Sequence, residues 1–287
     1  MSSDMPNLFD LTGRVAVITG SGANGGLGHA MALGLARNGA DIVSSDMDAP
    51  GAVVTAEEVR ALGRKSIAVR CDISIPDEIT ALFAEVDRAF GRVNILINNA
   101  AAGCRAHPED LSLDEWQRVV NVNMNGTFLC SQEAGRRMIR QGTGGSIINI
   151  SSIGGALALG RGNFVYSLTK GAINQMTREL AVEWAHHGIR VNAIMPCQTR
   201  TPAVKRWLAE PTFDSQGFVG RLLAGIPMNR LGEPEDVIGP AVFLASDASA
   251  FVTGVLLPVD GGNLALNAGG SHTWLAAPGE GTGTGNK

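Results

Sequence analysis

The chain has 287 residues, of which 45% are hydrophobic, and a formal net charge of −4. This composition supports a packed core, and the acidic balance argues against nucleic acid and anionic membrane surfaces as partners. No apolar run approaches the roughly 20 residues of a membrane-spanning helix. The N-terminus has no basic stretch followed by an apolar one, so we expect a cytoplasmic protein with free thiols at its four cysteines. The histidines and cysteines show no metal-ligand spacing, so no metal is expected.

Short apolar runs alternate with helical patterns along the chain. Several runs are almost wholly apolar, which is typical of strands buried on both faces of a parallel sheet. The alternation predicts an α/β protein, with a single-domain, doubly wound sheet of about seven parallel strands flanked by helices. We expect residues 1–263 to form this domain and residues 264–287 to form a Gly-rich tail that is partly mobile. Predicted strands cover 15–19, 42–45, 67–70, 94–97, 146–150, 190–195 and 255–259, and predicted helices cover 27–38, 76–90, 112–140 and 165–187.

A glycine-rich stretch, TGSGANGGLG at residues 19–28, connects the first predicted strand to the first predicted helix. Glycine lets the backbone approach a ligand closely, and the N–H groups at a helix N-terminus favour a phosphate. The context of strand, turn and helix therefore predicts that this loop binds the pyrophosphate of a dinucleotide. The residues assigned to it are Gly20, Gly22, Gly26, Leu27 and Gly28.

An acidic residue, Asp46, ends the second predicted strand at about the spacing expected for a carboxylate that binds an adenosine ribose. This carboxylate suits a free 2′-hydroxyl and would repel a 2′-phosphate. Residues 20–36 contain no Lys or Arg that would offset this repulsion. The sequence thus favours NAD over NADP, although a solvated strand-end carboxylate or a helix cap is the alternative interpretation.

A tyrosine and a lysine four residues apart share one face of a predicted helix, at Tyr166 and Lys170. An ammonium near a phenol lowers the pKa of the phenol, which makes it a usable acid or base at neutral pH. Ser152 follows the strand at 146–150, at the carboxyl end where ligands bind to such sheets. Ser151 is an alternative, but its side chain should point to the opposite face. The Tyr–Lys pair is also consistent with a solvated helix face.

These motifs together resemble the short-chain dehydrogenase/reductase family, over nearly the whole chain up to about residue 263. The resemblance implies a Rossmann-type, nucleotide-binding fold and an oxidoreductase. The motifs occur in family order. They are the glycine loop, Asp46, Cys71-Asp72-Ile73, Asn98-Asn99-Ala100-Ala101, Val122-Asn123-Met124-Asn125-Gly126, Ile150-Ser151-Ser152, Tyr166-x-x-x-Lys170, Arg190-Val191-Asn192-Ala193-Ile194-Met195-Pro196 and Val259-Asp260-Gly261-Gly262.

The resemblance also implies a catalytic role for four residues. Tyr166 would be the general acid/base, and Ser152 would hydrogen-bond the reacting oxygen. Lys170 would lower the pKa of the tyrosine and hold the nicotinamide ribose. Asn123 would fix a water that links Lys170 to a proton relay, although an ordinary helix residue or cap would look the same in sequence.

Further residues are implied to contact the cofactor. Asp72 would meet the adenine, unless it simply caps the following helix. Residues implied near the adenine, along the cofactor and at the nicotinamide are Asp72, Ile73, Asn99, Ala100, Ile194 and Thr201.

The sequence departs from the family pattern at three points. The glycine loop is longer than the common form, so that either Gly20 or Gly22 opens its turn. Ala101 stands where the family often has glycine. Cys197 also replaces a frequent glycine, and we interpret it as a small buried residue rather than a reactive thiol.

The segment after Thr201 falls where this family recognises its substrates. Its aromatic residues predict an apolar lid and its basic residues an anion contact, although an amphipathic surface helix has the same pattern. Two further arginines are expected near the entrance on weaker grounds. The residues are Trp207, Phe213 and Phe218 for the lid, Lys205, Arg206 and Arg221 for the anion, and Arg105 and Arg161 for the entrance.

The resulting hypothesis is an NAD-dependent oxidoreductase that acts on a small secondary alcohol or ketone of the sugar, polyol or hydroxy-acid type. One alternative is a 3-oxoacyl-thioester reductase, against which Asp46 argues because that class usually prefers NADP. Another is a non-catalytic NAD-sensing protein with the same fold, which would not need the Ser152, Tyr166, Lys170 and Asn123 set. The resemblance also implies a homotetramer, with the helices at 112–140 and 165–187 in its interfaces.

Overall fold

A computed structural model describes residues 7–22, 24–211 and 214–266. Within this part of the chain, seven strands form one parallel sheet in the order β3-β2-β1-β4-β5-β6-β7. The predicted α/β doubly wound sheet is therefore confirmed. The strands are β1 Val15–Thr19, β2 Asp41–Asp46, β3 Ser66–Arg70, β4 Ile95–Asn98, β5 Gly145–Ile150, β6 Ile189–Pro196 and β7 Leu256–Val259.

Helices connect the strands and cover both faces of the sheet. The chain runs from β1 outward to β2 and β3 and then returns to β4 on the other side of β1. The neighbouring strands β1 and β4 therefore mark a topological switch point, where ligands bind to such sheets. None of the helices among the described residues is long and apolar enough to cross a membrane. The α-helices are α1 Leu27–Arg37, α2 Ala49–Ala61, α3 Pro76–Phe90, α4 Leu113–Val120, α5 Thr127–Gln141, α6 Phe164–Trp184, α7 Pro202–Leu208, α8 Ser215–Leu223 and α9 Ile238–Ala245.

The helix predicted over 112–140 is not a continuous α-helix. A π-helical segment, Asn121–Gly126, separates α4 from α5. Such a segment accommodates an extra residue in the hydrogen-bond ladder and is often found at functional sites. Its apolar periodicity differs too little from that of an α-helix for the sequence to reveal it. The segment holds Asn123 at its third position.

The core lies in two layers because alternate residues of a strand face opposite sides of the sheet. Ala16 and Ile18 of β1 pack with α1 and α9, whereas Val15 and Val17 pack with α3 and α5. The strands β1, β2, β4 and β5 are almost wholly buried, which explains their apolar composition. A sheet covered on both faces exposes mainly its edges, and the carboxyl-end edge carries the loops of the candidate site.

Candidate active site

The glycine loop begins where β1 ends, at Thr19. Gly20 follows with φ of +67°, in the left-handed region that favours glycine. A Cβ atom on Gly20 would lie 2.7 Å from the Cα atom of Ala100, so the two backbones are in close contact. Gly20 therefore opens the turn, which decides between the two alignments, and the extra residues of the loop follow it.

The extra residues of the loop pack against the second βα unit. The Gly22 N–H donates to Asp46 Oδ2 at 2.8 Å, and a Cβ atom on Gly22 would lie 2.9 Å from Asp46 Cβ. Farther along, the Gly25 N–H donates to His29 Nδ1 at 3.3 Å, and His29 Nε2 lies 2.7 Å from Glu58 Oε2. These contacts fasten the enlarged loop to β2, α1 and α2.

The N-terminus of α1 has the features of a phosphate site. Its N-cap, Gly26, makes no side-chain capping bond, and the first turn contains no acidic residue. Its first N–H groups and the positive end of its dipole therefore stay available for an anion. Gly28 packs against the Gly20 carbonyl, and a Cβ atom there would lie 2.6 Å from Asn99 Nδ2. The residues present thus fit the pyrophosphate of a dinucleotide, and Leu27 lines the adjoining cleft.

Asp46 lies at the carboxyl end of β2, next to the glycine loop. Its Oδ2 accepts from Gly22 and its Oδ1 accepts from the Asp48 N–H at 2.9 Å. The carboxylate is thereby held at the loop, with lone pairs left on both oxygens for a further donor. This position is consistent with the predicted ribose contact.

Tyr166 and Ser152 meet at the carboxyl end of β5. The Ser152 hydroxyl accepts from the Gly154 N–H at 3.0 Å and forms a side-chain hydrogen bond with Tyr166. Ser151 points away from them, with its Oγ 2.6 Å from Asn174 Oδ1, as the alternation along the strand predicts. Burial raises the pKa of Tyr166, and the bond to Ser152 counteracts this only in part. The prediction of a lowered pKa for this phenol is thus wrong for the structure as it stands, because burial dominates.

Lys170 lies one turn beyond Tyr166 on α6, with its Nζ atom 5.5 Å from the centroid of the tyrosine ring. The amine is buried and donates to the Ile150 carbonyl at 2.6 Å. Burial lowers the pKa of Lys170 to about 8, since a charged amine is costly in an apolar environment. The predicted pair on one helix face is therefore present, with Lys170 buried and Tyr166 partly buried, and it is not a solvated helix face.

This buried amine predicts a pH-dependent stability difference between wild type and Lys170→Met. Between pH 8 and 10.5 the amine is neutral in the native state but still protonated in the unfolded state. The free energy of unfolding of wild type therefore increases with rising pH. Between pH 7 and pH 10, the free energy of unfolding of wild type should increase by about 2 kcal/mol relative to that of Lys170→Met. Urea denaturation at the two pH values measures it.

The exposed residue Lys65, just before β3, offers a control for this prediction. Because folding does not bury its amine, Lys65→Met should leave the pH dependence as in wild type. A Lys170→Met curve parallel to that of wild type from pH 7 to 10 would contradict the assigned burial cost.

Asn123 joins the loop after β4 to α6. Its Oδ1 accepts from the Ala102 N–H at 2.8 Å, and its Nδ2 donates to the Ala102 carbonyl and to Thr169 Oγ1, both at 2.9 Å. The residue is fully buried in the π-helical segment. Both of its amide hydrogens are therefore used in positioning the loop beside the site, and one lone pair of Oδ1 is left.

The loop after β4 is fastened to the glycine loop. Asn99 Nδ2 donates to the carbonyls of Thr19 and Gly20, at 3.1 and 2.7 Å, and the N–H groups of Asn99 and Ala100 donate to Thr19 Oγ1. Asn99 and Ala101 also line the cleft. The methyl group of Ala101, an exposed residue, is therefore accommodated without a close contact in this loop.

The segment after β3 has a structural role in this arrangement. Asp72 Oδ1 accepts from the N–H and the hydroxyl of Ser74, at 2.9 and 2.7 Å, which forms the turn before α3. Ile73 is buried, and its carbonyl contacts Gly126 of the π-helical segment. Asp72 therefore forms a turn before α3 but does not cap that helix, whose N-cap is Ile75 without a side-chain capping bond. Its Oδ2 is left for another donor.

The predicted contact of Ile194 with the nicotinamide is not supported by its position in β6. Ile194 is fully buried in the core and does not line the cleft, because its side chain points into the layer formed with α1 and α9. Pro196 and Cys197, at the end of the strand, form the wall instead, with Thr201 beyond them as the N-cap of α7. Burial raises the pKa of the Cys197 thiol to about 11, which keeps it protonated at neutral pH.

The cleft between these elements has a volume of about 340 Å³, within the usual range for small-molecule sites. Ser152, Tyr166, Lys170 and Asn99 all line it. Its lining also includes residues that the sequence did not predict, because their residue types have no assigned role in the motifs. These are Leu159, Asn163, Gln198, Leu222 and Leu231.

The segment after Thr201 contributes some of its predicted residues to the cleft. Trp207 and Phe218 line the cleft, as do Arg105 and Arg161. The basic residues predicted to meet an anion do not line it and lie exposed; they are Lys205, Arg206 and Arg221. Phe213 lies outside the described residues, as does the tail from residue 267 onward.

The arrangement of a glycine loop, a strand-end acid and a Ser–Tyr–Lys set in one cleft is typical of one class of protein. The chain matches the model of a family described as enoyl-(acyl carrier protein) reductase over residues 20–263. This chain belongs to the short-chain dehydrogenase/reductase family of oxidoreductases, which confirms the resemblance seen in its motifs.

Among its relatives, the 2-dehydro-3-deoxy-D-gluconate 5-dehydrogenase of Escherichia coli strain K12 is 40% identical over 259 residues, which cover 90% of this chain and 98% of that protein. The gluconate 5-dehydrogenase of Gluconobacter oxydans is 36% identical, with 90% and 97% covered. The crystal structure of a gluconate 5-dehydrogenase from Burkholderia cenocepacia, in complex with NADP and tartrate, is 34% identical. It superposes with a TM-score of 0.83, over 91% of this chain and 99% of that one.

Proposed function

We propose that this protein is an NAD-dependent oxidoreductase that transfers a hydride between the nicotinamide and a secondary alcohol or ketone of a sugar, polyol or hydroxy acid. The observation that carries the proposal is the placement of Ser152, Tyr166 and Lys170 in one cleft beside the glycine loop. When bound, the cofactor supplies or accepts the hydride. The protein positions the substrate and moves the proton.

The proton chemistry belongs to Tyr166. In oxidation its phenolate takes the proton of the substrate hydroxyl, and in reduction its phenol gives a proton to the carbonyl oxygen. The Ser152 hydroxyl hydrogen-bonds the same oxygen and stabilises its charge. The ammonium of Lys170, beside the ring, favours the phenolate and contacts the nicotinamide ribose. Asn123 is proposed to hold a water that links Lys170 to a proton relay.

The substrate class is supported by the relatives. Several are named for sugar acids, and their similarity extends over about nine-tenths of this chain. A 3-oxoacyl-thioester reductase is the second candidate, because the matching family model is named for a substrate on an acyl carrier protein. A non-catalytic NAD sensor is less well supported, since nothing in sensing requires a Tyr–Ser–Lys set.

The cofactor preference is supported by Asp46. Its carboxylate is fixed at the glycine loop, where the 2′-position of the ribose would lie, and no basic residue occurs in 20–36. A 2′-phosphate there would meet a negative charge. The solved relative from Burkholderia cenocepacia holds NADP, so the choice in this chain depends on its own residues.

Absorbance of the reduced nicotinamide tests the activity and the cofactor together. Wild type, with sugar acids, sugars, polyols and an acetoacetyl thioester, should turn over a sugar-type substrate with a higher kcat/KM for NAD than for NADP. Asp46→Ala should lower kcat/KM for NAD by about 10- to 100-fold, because the ribose loses a charged acceptor. It should also improve use of NADP.

Asp77→Ala, at an exposed acid in the first turn of α3, is the control and should leave kcat/KM for NAD and for NADP as in wild type. Preference of wild type for NADP would overturn the assignment of Asp46. Turnover of the thioester alone would favour the second candidate, and NAD binding without any turnover would favour the sensor.

A homotetramer remains an expectation that the family implies. Large apolar side chains on α4 and α6 support an interface there, since Leu113 and Val182 are 75% and 77% exposed in the single chain. Light scattering measures the assembly directly.

A further inference from the structure

Two arginines and two aromatic residues form a cluster at the mouth of the catalytic cleft. The guanidinium carbon of Arg105 lies 4.1 Å from the centroid of the Trp207 ring, and that of Arg161 lies 5.9 Å from the Phe218 ring. The two rings meet edge to face, with centroids 4.6 Å apart. Cation–π contacts of this kind hold each guanidinium in place while leaving its N–H donors unused. We refer to these four residues as the arginine–aromatic cluster.

The loops that carry the two arginines are joined beside them. Arg105 lies on the loop after β4 and Arg161 on the loop after β5, and the Ala106 N–H donates to the Gly162 carbonyl at 3.2 Å. Arg161 has φ of +60°, a conformation that costs a residue with a side chain about 1 kcal/mol or more. This conformation is thus maintained by the surrounding loops, and it places Arg161 in the cleft wall.

Neither arginine makes an ion pair with a carboxylate in the described part of the chain. Nine other arginines there do so, which shows that acids are available for pairing on this surface. Burial and, second, the charge of Arg105 lower the pKa of Arg161, so the two cations disfavour each other. Two converging cations without an anion between them form a site that a bound anion would stabilise.

We propose that Arg105 and Arg161 bind the anionic end of a sugar acid whose secondary hydroxyl reacts at Tyr166. This inference rests on the proposed function and specifies its substrate. Both arginines line the same cleft as Ser152, Tyr166 and Lys170, so one ligand can contact both ends. Trp207 and Phe218 supply an apolar wall against which its carbon chain packs.

The two forks of donors suit an oxyanion with several acceptor oxygens, because arginine pairs with such groups in bidentate geometry. A carboxylate and a phosphate ester share this chemistry. The substrate arms therefore include D-gluconate, the neutral polyol D-glucitol of the same chain length, and glucose 6-phosphate. A preference for gluconate would identify a carboxylate, and one for glucose 6-phosphate a phosphate ester.

Steady-state kinetics on Arg105→Gln, Arg161→Gln and the double variant tests the subsite. Each substitution removes the charged fork, and Gln at position 161 has the same backbone constraint as Arg. KM for the anionic substrate should rise about 10- to 100-fold for each variant, since hydrogen bonds to a charged group are lost. The kcat value should change by less than about 3-fold, because neither arginine contacts the reacting atoms. KM for D-glucitol should change much less than KM for the anionic substrate, because D-glucitol is neutral.

Two further variants sharpen this test. Arg206→Gln, at an exposed residue of α7 that does not line the cleft, is the matched control and should leave all constants as in wild type. Arg105→Lys keeps the charge and loses the fork, so it should recover part of the lost affinity.

The result that would overturn the inference is an unchanged KM for the anion in the double variant, or an equal change for D-glucitol. In either case turnover by wild type would leave the proposed function intact. If wild type turns over no sugar substrate at all, the proposed function fails instead. The subsite is then judged by calorimetric binding of D-gluconate in the presence of NAD, where binding lost in the double variant supports it and no binding by wild type overturns it.

Discussion

Tyr166→Phe is expected to lower kcat by about 100- to 10,000-fold while the affinity for NAD stays within about 2-fold of wild type. The substitution removes one hydroxyl, the group that takes or gives the proton, and leaves the ring beside Lys170 in place. Single-wavelength turnover with the best substrate measures the loss, and quenching of protein fluorescence measures the binding of NAD. An active Tyr166→Phe enzyme would remove Tyr166 from the mechanism.

The kcat values of oxidation and reduction should depend on pH in opposite directions, because both depend on the protonation of Tyr166. Burial raises the pKa of Tyr166, so the phenol is protonated at neutral pH and ready to act as an acid in reduction. Oxidation needs the phenolate, so its kcat should increase as the pH rises while that of reduction decreases. The Tyr166→Phe variant should lose both dependences.

Gly28→Ala is expected to reduce the free energy of unfolding by about 1–3 kcal/mol or more and to weaken NAD binding by at least about 10-fold. A Cβ atom at this position would collide with the Gly20 carbonyl and lie 2.6 Å from Asn99 Nδ2. The first of these neighbours is backbone, so it cannot move aside without displacing the turn that begins the phosphate loop. Urea denaturation and calorimetric titration with NAD measure the two effects.

The matched control is Gly220→Ala on α8. Among the described residues outside the backbone of its own helix, no atom lies within 4 Å of the position of an added Cβ at Gly220, so alanine should be neutral or slightly stabilising. If Gly28→Ala has the stability and NAD affinity of wild type, the loop has room for a methyl group at position 28. That result would contradict the close contact between Gly28 and the Gly20 carbonyl.

The local arrangement of Tyr166 and Lys170 was predictable from the sequence. Tyr166 and Lys170 share a helix face because helical geometry brings positions four apart together, whatever the rest of the chain does. In the same way, Ser152 could be chosen over Ser151 because side chains alternate along an extended strand. Long apolar runs between helical patterns likewise predict a parallel sheet, since only strands covered on both faces have that composition.

Other features depend on contacts between segments far apart in the chain. Gly20 opens the phosphate loop because its backbone meets Ala100, and no spacing rule within residues 19–28 contains that information. Ile194 was assigned to the nicotinamide side by its motif, but the position of its strand between two layers directs it into the core.

The pKa of Tyr166 likewise depends on contacts that the sequence does not show. A lysine four residues away predicts a lowered pKa, but the sequence does not reveal the burial that raises it.

The sequence by itself thus determined the sheet, the nucleotide loop and the chemistry of the cleft, because these depend on neighbours within a few residues. Only the tertiary structure decided which charged residues line the cleft. Arg105 and Arg161 are 56 positions apart, and the loops that carry them meet only because β4 and β5 are adjacent in the sheet. Lys205, Arg206 and Arg221 are equally basic, but the packing of α7 and α8 turns Trp207 and Phe218 toward the cleft and leaves those cations in solvent.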